Sequence, residues 1–252
     1  MLLIAVSLAL AGIGALARLR WRPAVRAVAW YGQLRPSASA CIRASPGTFA
    51  YLAILSVTTW VLLGSSQQVV DLLLREHSTS LHRLAVDPVR VLVRSAFWTP
   101  GYAFLLWAVA FAIMLASAER WLGTARCALI FAAGHVLATL GAATVLWMGI
   151  RFGWAPRALA DGIDVGVSYG FAAVAAVFSY RLPEPWRWRW AATAIAAGLV
   201  GLFFNQTFTD VGHLFALAIG FGFYPLTTSV IVRSRAAHPV WALPPTTPTR
   251  TG

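Results

Sequence analysis

Residues 127–150 read CALIFAAGHVLATLGAATVLWMGI, a run without Asp, Glu, Lys or Arg. A bilayer core needs about 20 predominantly apolar residues in a helix, so this stretch already supplies a membrane-spanning helix. Reading outward, charge-free stretches of similar length run from Ser95 to Ala118 and from Gly47 to Val70 on one side. On the other side they run from Trp190 to Thr209 and from Val211 to Val232. A shorter one, Val165 to Tyr180, is opened by Asp161 and Asp164 and closed by RLPEP at 181–185. At one helix per stretch these predict an all-α polytopic membrane protein with a core of about six helices.

Composition agrees. In 252 residues, 59% are hydrophobic and 11% charged, against roughly a quarter charged in a soluble globular chain. Twelve Trp, fourteen Phe and a mean hydropathy of +0.71 exceed what a soluble domain of this size can bury. The 20 basic residues are all Arg and give +12 net charge. They sit between the apolar blocks, so they read as topology signals and headgroup contacts, with no nucleic-acid footprint. All-Arg, Ala-rich usage points to a GC-rich bacterial genome and hence to a bacterial plasma membrane. Cys41 and Cys127 make neither a disulfide framework nor a Cys-based zinc site.

Met1–Ala17 fits a signal peptide or an uncleaved anchor. It has no basic residue ahead of it and Arg18, Arg20 and Arg22 behind it, an order that favours an extra N-terminal anchor helix with a cytosolic C-terminal end. Residues 18–46 then form a cytosolic basic linker, 47–232 the membrane domain, and 233–252, with Pro239, Pro244, Pro245 and Pro248, a disordered cytosolic tail. This orientation puts fourteen arginines inside and six outside, as the positive-inside rule requires. The outer connection from Asp71 to Arg94 is too long and too apolar for an ordinary loop, which predicts a partly embedded or interfacial element.

Ionisable and nucleophilic groups in a membrane domain are functional candidates because burying them is costly. Two stand out. Ser168 lies in DVGVSYG at 164–170, opening the fourth core helix; His213 lies in DVGH at 210–213, opening the sixth. At about 1.5 Å per residue they sit roughly 6 and 4.5 Å past Asp164 and Asp210, level with each other if the two helices are neighbours. Gly166 and Gly212 remove bulk beside each and permit close approach. A hydroxyl within reach of an imidazole is the minimum for an activated nucleophile, and a helix N-terminus offers free N–H groups to an oxyanion. The plainer reading is a serine bonded to a backbone carbonyl and a histidine bridging helices. Asp164 and Asp210 read as helix caps or as groups that orient His213, the cap being favoured. Among the other histidines, His135 reads as an interior hydrogen-bonding residue, while His77 and His82 lack metal-ligand spacing. The WRWRW run at 186–190 reads as an interfacial belt.

From about Thr48 to Val230 the chain resembles the rhomboid intramembrane serine proteases, in particular their divergent actinobacterial branch. Gly166-Val167-Ser168 is similar to that family's Gly-x-Ser-Gly nucleophile motif. Gly212-His213 followed by Ala216 and Gly220 is similar to the pattern of its last helix. Glu119-Arg120-Trp121-Leu122-Gly123 resembles the Glu-x-x-x-Gly that ends its second helix, and Val89-Arg90 near Ser95-Ala96-Phe97 resembles its Trp-Arg loop region. The resemblance implies a six-helix fold with a partly embedded first loop. It also implies a Ser168–His213 dyad acting on transmembrane substrates without metal or cofactor. The chain departs from the family at telling places: the oxyanion-assisting His-x-x-x-Asn falls on Ala103 and Trp107, the Gly after the nucleophile is Tyr169, and the aromatic that packs on the histidine falls on Ala172. Tyr102, Tyr169, Asn205 and Gln206 are candidate replacement donors. The favoured reading is an intramembrane serine protease with a Ser168–His213 dyad, and the alternative is a non-catalytic pseudoprotease that binds transmembrane helices; a transporter is disfavoured because the helices lack a chain of buried charges.

Overall fold

The computed structural model describes Arg18, Pro23 and residues 38–162, 164–165, 167–205, 207–229 and 232. The expected anchor over 1–17, most of the 18–46 linker, the tail over 233–252, Gly166 and Gln206 lie outside the described residues. Two compact units divide at Ala44 and Ser45. In the first, residues 38–44 are helical. All the regular structure described in the second is helical.

The second unit opens with α1 (Pro46–Leu63) and a chain of three short helices, α2 (Gln67–Glu76), α3 (Leu81–Val86) and α4 (Pro88–Ser95). Next come α5 (Gly101–Leu122), containing a π-turn at Phe111–Leu115, and α6 (Thr124–Arg151). The rest is α7 (Val167–Phe178), α8 (Trp186–Asn205) and α9 (Phe208–Gly222), with a last short turn at Tyr224–Thr227. Among the described residues α1, α5 and α6 are long and apolar enough to cross a membrane. The expected spans are displaced at their ends for local reasons. The first stops at Leu63, not Val70, because Gly64-Ser65-Ser66 breaks the helix without any charge to betray it. The second starts at Gly101, since Pro100 disfavours helix at Thr99. The fifth begins at Trp186, its arginines held at the first turn, where Arg189 lies over the Trp186 ring. The sixth ends at Gly222 and turns at Phe223.

The outer connection is therefore a run of amphipathic helices. Val91 and Ser95 of α4 face inward while Val89 and Val93 are exposed, and Asp87 caps its start by accepting from the Arg90 N–H at 3.1 Å. His135 of α6 ties this helix to the core through Nε2, 2.9 Å from the Leu92 carbonyl and 3.2 Å from Ser95 Oγ. The interior hydrogen-bonding role expected of His135 is the one found.

At the other end of the bundle Glu119, 2% exposed, joins three helices. Its carboxylate accepts from the N–H of Gly47 (2.9 Å) and of Thr48 (2.7 Å), capping α1 from outside, and from the hydroxyls of Thr48 (2.6 Å) and Thr124 (2.7 Å). Four donors, two of them orphan helix N–H groups, satisfy a charge that would otherwise be costly to bury. Gly123, with φ of 87°, makes the sharp turn into α6 that a side chain would strain. The Glu119-x-x-x-Gly123 pattern is thus a structural junction.

Helix α7 is the centre of the second unit. Its 12 residues rise about 18 Å, short of a bilayer core of about 30 Å. Apart from Ser168, Phe171 and Ala172, which are half-buried, all its residues are buried, chiefly against α6 and α9. A Cβ on Gly220 of α9 would lie 2.2 Å from the Ala173 carbonyl oxygen, so α7 and α9 touch backbone to backbone.

Candidate functional site

The two candidate residues lie on helices that pack directly. Ser168 is the second residue of α7, where the first N–H groups of a helix have no intrahelical partner. His213 is in the second turn of α9, after a capping box in which Thr207 N–H donates to Asp210 Oδ2 (3.1 Å) and Asp210 N–H to Thr207 Oγ1 (3.3 Å). Asp210 is therefore a cap, as its sequence position suggests.

Tyr169, not Ser168, makes the contact with the histidine. Its ring meets the His213 ring edge-on, with centroids 5.1 Å apart and planes at 75°. A Cβ on Gly212 would lie 2.4 Å from Tyr169 Cζ, so Gly212 exists to admit this ring. Tyr169 is fully buried, and its hydroxyl donates to Asp164 Oδ2 at 2.9 Å. Among the described residues no hydrogen bond joins Ser168 to His213. Ser168 shares its helix face, at i+3 and i+4, with Phe171 and Ala172. On that face Phe171 packs edge-on against Trp107 of α5 at 5.5 Å, and Trp107 also meets Phe111.

Asp164 differs from the expected cap. It is 5% exposed and links three elements: its Oδ2 accepts from Thr79 Oγ1 (3.1 Å) as well as from Tyr169, and its Oδ1 from Thr209 Oγ1 of α9 (3.4 Å). Its backbone joins the same knot, the carbonyl accepting from Thr79 N–H (2.9 Å) and the N–H donating to Ser78 Oγ (2.7 Å). The cavity beside it, between Thr79, Thr139 and Phe208, is about 10 Å³, room for about one water molecule. Spacing alone shows no trace of this network, because Thr79 and Thr209 lie far from Asp164 in the chain.

The replacement donors do not converge on Ser168. Tyr102, at the start of α5, is 91% exposed. Asn205 ends α8 and donates to Asp210 Oδ1 at 3.5 Å, serving the cap of α9. The Tyr169 hydroxyl is committed to Asp164. Ala103 brings no side-chain hydrogen-bonding group, and the Trp107 ring joins an aromatic cluster with Phe111 and Phe171. Ala172 packs with Ala138, Tyr169 and Ala216, so the ring facing His213 comes from three residues earlier in the helix. His77 stacks on Trp98 at 4.3 Å, and His82 is exposed. Among the described residues no three His, Cys, Asp or Glu side chains gather as a metal site.

A family whose description is "rhomboid-like protein" matches this chain over residues 40–233, well over half its length. Compared with curated proteins and with solved structures, the chain matches none.

Proposed function

Because the chain belongs to the rhomboid-like protein family, we propose that it is a membrane protein that engages transmembrane segments of other proteins in the lipid bilayer without cleaving them. The observation that carries this reading is Tyr169. Where a proteolytic relative needs a glycine beside the nucleophile, a buried ring fills the α7–α9 interface, meets His213 and bonds Asp164. The oxyanion side is depleted as well, with Ala103 and Trp107 at the assisting positions. Loss of one oxyanion donor costs about 10²–10³ in rate, and Ala103 supplies none. Apolar, lipid-facing helix surfaces such as those of α5 and α8 remain for helix–helix contact, where packing and not hydrophobicity selects the partner. The all-arginine composition supports a bacterial plasma membrane as the setting.

The second reading is an intramembrane serine protease of the Ser168–His213 type. In it Ser168 attacks the scissile carbonyl, His213 takes the hydroxyl proton and returns it to the leaving amine, and the Ser168 N–H steadies the oxyanion. It is favoured by the placement of both residues near the adjoining ends of packed helices and by the aromatic contact on His213. A transmembrane reporter co-expressed with the protein separates the two. Binding without cleavage predicts that the intact reporter co-purifies equally well with the wild type and with Ser168→Ala. Proteolysis predicts a cleaved reporter whose cleavage is lost in Ser168→Ala and in His213→Ala.

A further inference from the structure

Two threonines of α6 meet their hydrogen-bonding needs differently. Thr144 Oγ1 donates to the Leu140 carbonyl at 2.7 Å, the bond four residues back that a threonine in a membrane helix commonly makes. Thr139 is 2% exposed, and its Oγ1 has no hydrogen-bond partner among the described residues. A buried hydroxyl without a partner is costly, and such groups are rare in folded proteins. Thr139 lines the cavity of about 10 Å³ beside Asp164, and Thr79 and Ser80 of the outer connection line it too. A space of that volume is about one water molecule wide, so an occupant touches every group in the lining.

Asp164 supplies the complementary half. A carboxylate has about four acceptor positions, about two on each oxygen. Those on Oδ2 are taken by Tyr169 and Thr79, whereas Oδ1 takes Thr209 alone. A donor in need of an acceptor and an acceptor with a place left therefore border the same small space. We propose that this cavity is a binding site for a single water molecule, which accepts from the Thr139 hydroxyl and donates to Asp164 Oδ1. Its second proton is turned toward the hydroxyls of Thr79 and Ser80, within the range of about two to four polar partners that a buried water takes. A divalent metal ion, with its demand for about six oxygen ligands, does not fit, because Ala142, Leu146, Leu159 and Phe208 make up much of the remaining wall. The water bonds α6 to the carboxylate that already holds the outer connection, α7 and α9, and it fills the acceptor set of Asp164. This inference stands whichever way Ser168 and His213 act.

The test is water-edited solid-state NMR on the full-length protein in phosphatidylcholine bilayers, with isotope-labelled threonine and alanine. Magnetisation is passed from water to the protein, and its build-up is read residue by residue. Thr139 should build up several-fold faster than Thr59, an internal control that is 3% exposed and also lacks a partner for its hydroxyl among the described residues but does not line this cavity. Thr139→Val keeps the shape and removes the hydroxyl, and it should slow transfer to Ala142 on the same cavity. Thr139→Ser keeps the hydroxyl and should preserve that transfer. Ala142→Val fills the space and should bring the Thr139 build-up down to that of Thr59, while unshifted Thr59 and Thr144 signals report that the variant is folded. A wild-type Thr139 that builds up no faster than Thr59 overturns the proposal, and so does a fast build-up that survives Ala142→Val.

Discussion

Two buried carboxylates hold the opposite ends of this bundle, and they are satisfied in different ways. Glu119 is met by two backbone N–H groups and two threonine hydroxyls, and those donors lie just past the start of α1 and at the start of α6. Asp164 is met almost wholly by side chains, drawn from the outer connection, α7 and α9. A carboxylate that caps a helix fixes where that helix begins. A carboxylate that collects side chains fixes how separate elements face one another. The first fixes how α1 meets α5 and α6; the second sets the surroundings of Tyr169, and through Tyr169 those of His213.

Breaking the Glu119 end should have the larger effect. Glu119→Ala strands two N–H groups and two hydroxyls, at about 1–3 kcal/mol for each donor left buried without a partner, so thermal unfolding in detergent should fall steeply or the protein should fail to accumulate. Glu119→Gln keeps the shape and one oxygen and should lie between the two. The α7–α9 contact comes next. Gly212→Ala drives a methyl group into the Tyr169 ring and should cost about 1–3 kcal/mol by overpacking. The double variant Gly212→Ala with Tyr169→Gly should recover part of the loss to overpacking, whereas Tyr169→Phe in place of Tyr169→Gly should not.

Asp164→Asn probes the outer knot. It keeps a carbonyl acceptor but halves the acceptor set, so global stability should change less than in Glu119→Ala. Hydrogen exchange should rise in the 78–81 segment and leave the start of α1 unchanged. If both segments respond alike, the two ends are not independent and the contrast fails.

The smallest effect belongs to the surface. The Arg83 guanidinium, which pairs with both oxygens of Glu76, holds that carboxyl below its usual range. A carboxyl whose value is lowered in the folded state contributes stability above its unfolded value, and that contribution is lost as the pH falls through the folded value. Hydrogen exchange at the junction of α2 and α3 should therefore rise below about pH 4.5 in the wild type, and this rise should be absent in Glu76→Gln.

The contrast between the two ends also explains what the sequence reveals. Six apolar helices and an amphipathic outer connection are legible because lipid demands long runs without charge. Their ends are less legible, since Gly64-Ser65-Ser66 carries no charge yet stops α1. Asp210 and Asp164 look alike in isolation, each a few residues ahead of the candidate it accompanies. Only Asp210 has a threonine three residues earlier, and that spacing makes it a cap. Asp164 has Asp161 there, and its partners Thr79 and Thr209 lie far off in the chain, beyond the reach of local pattern. Likewise, a family pattern places the histidine's aromatic partner at Ala172, whereas the ring that faces His213 belongs to Tyr169 because Gly212 leaves it room.

The most direct measurement of the central claim is covalent labelling of the purified wild-type protein by a serine-reactive fluorophosphonate, read at Ser168 by peptide mass spectrometry. With the Tyr169 ring, and not Ser168, meeting His213, Ser168 should stay unmodified. Labelling of Ser168 in the wild type that disappears in His213→Ala would contradict the account and restore a working dyad.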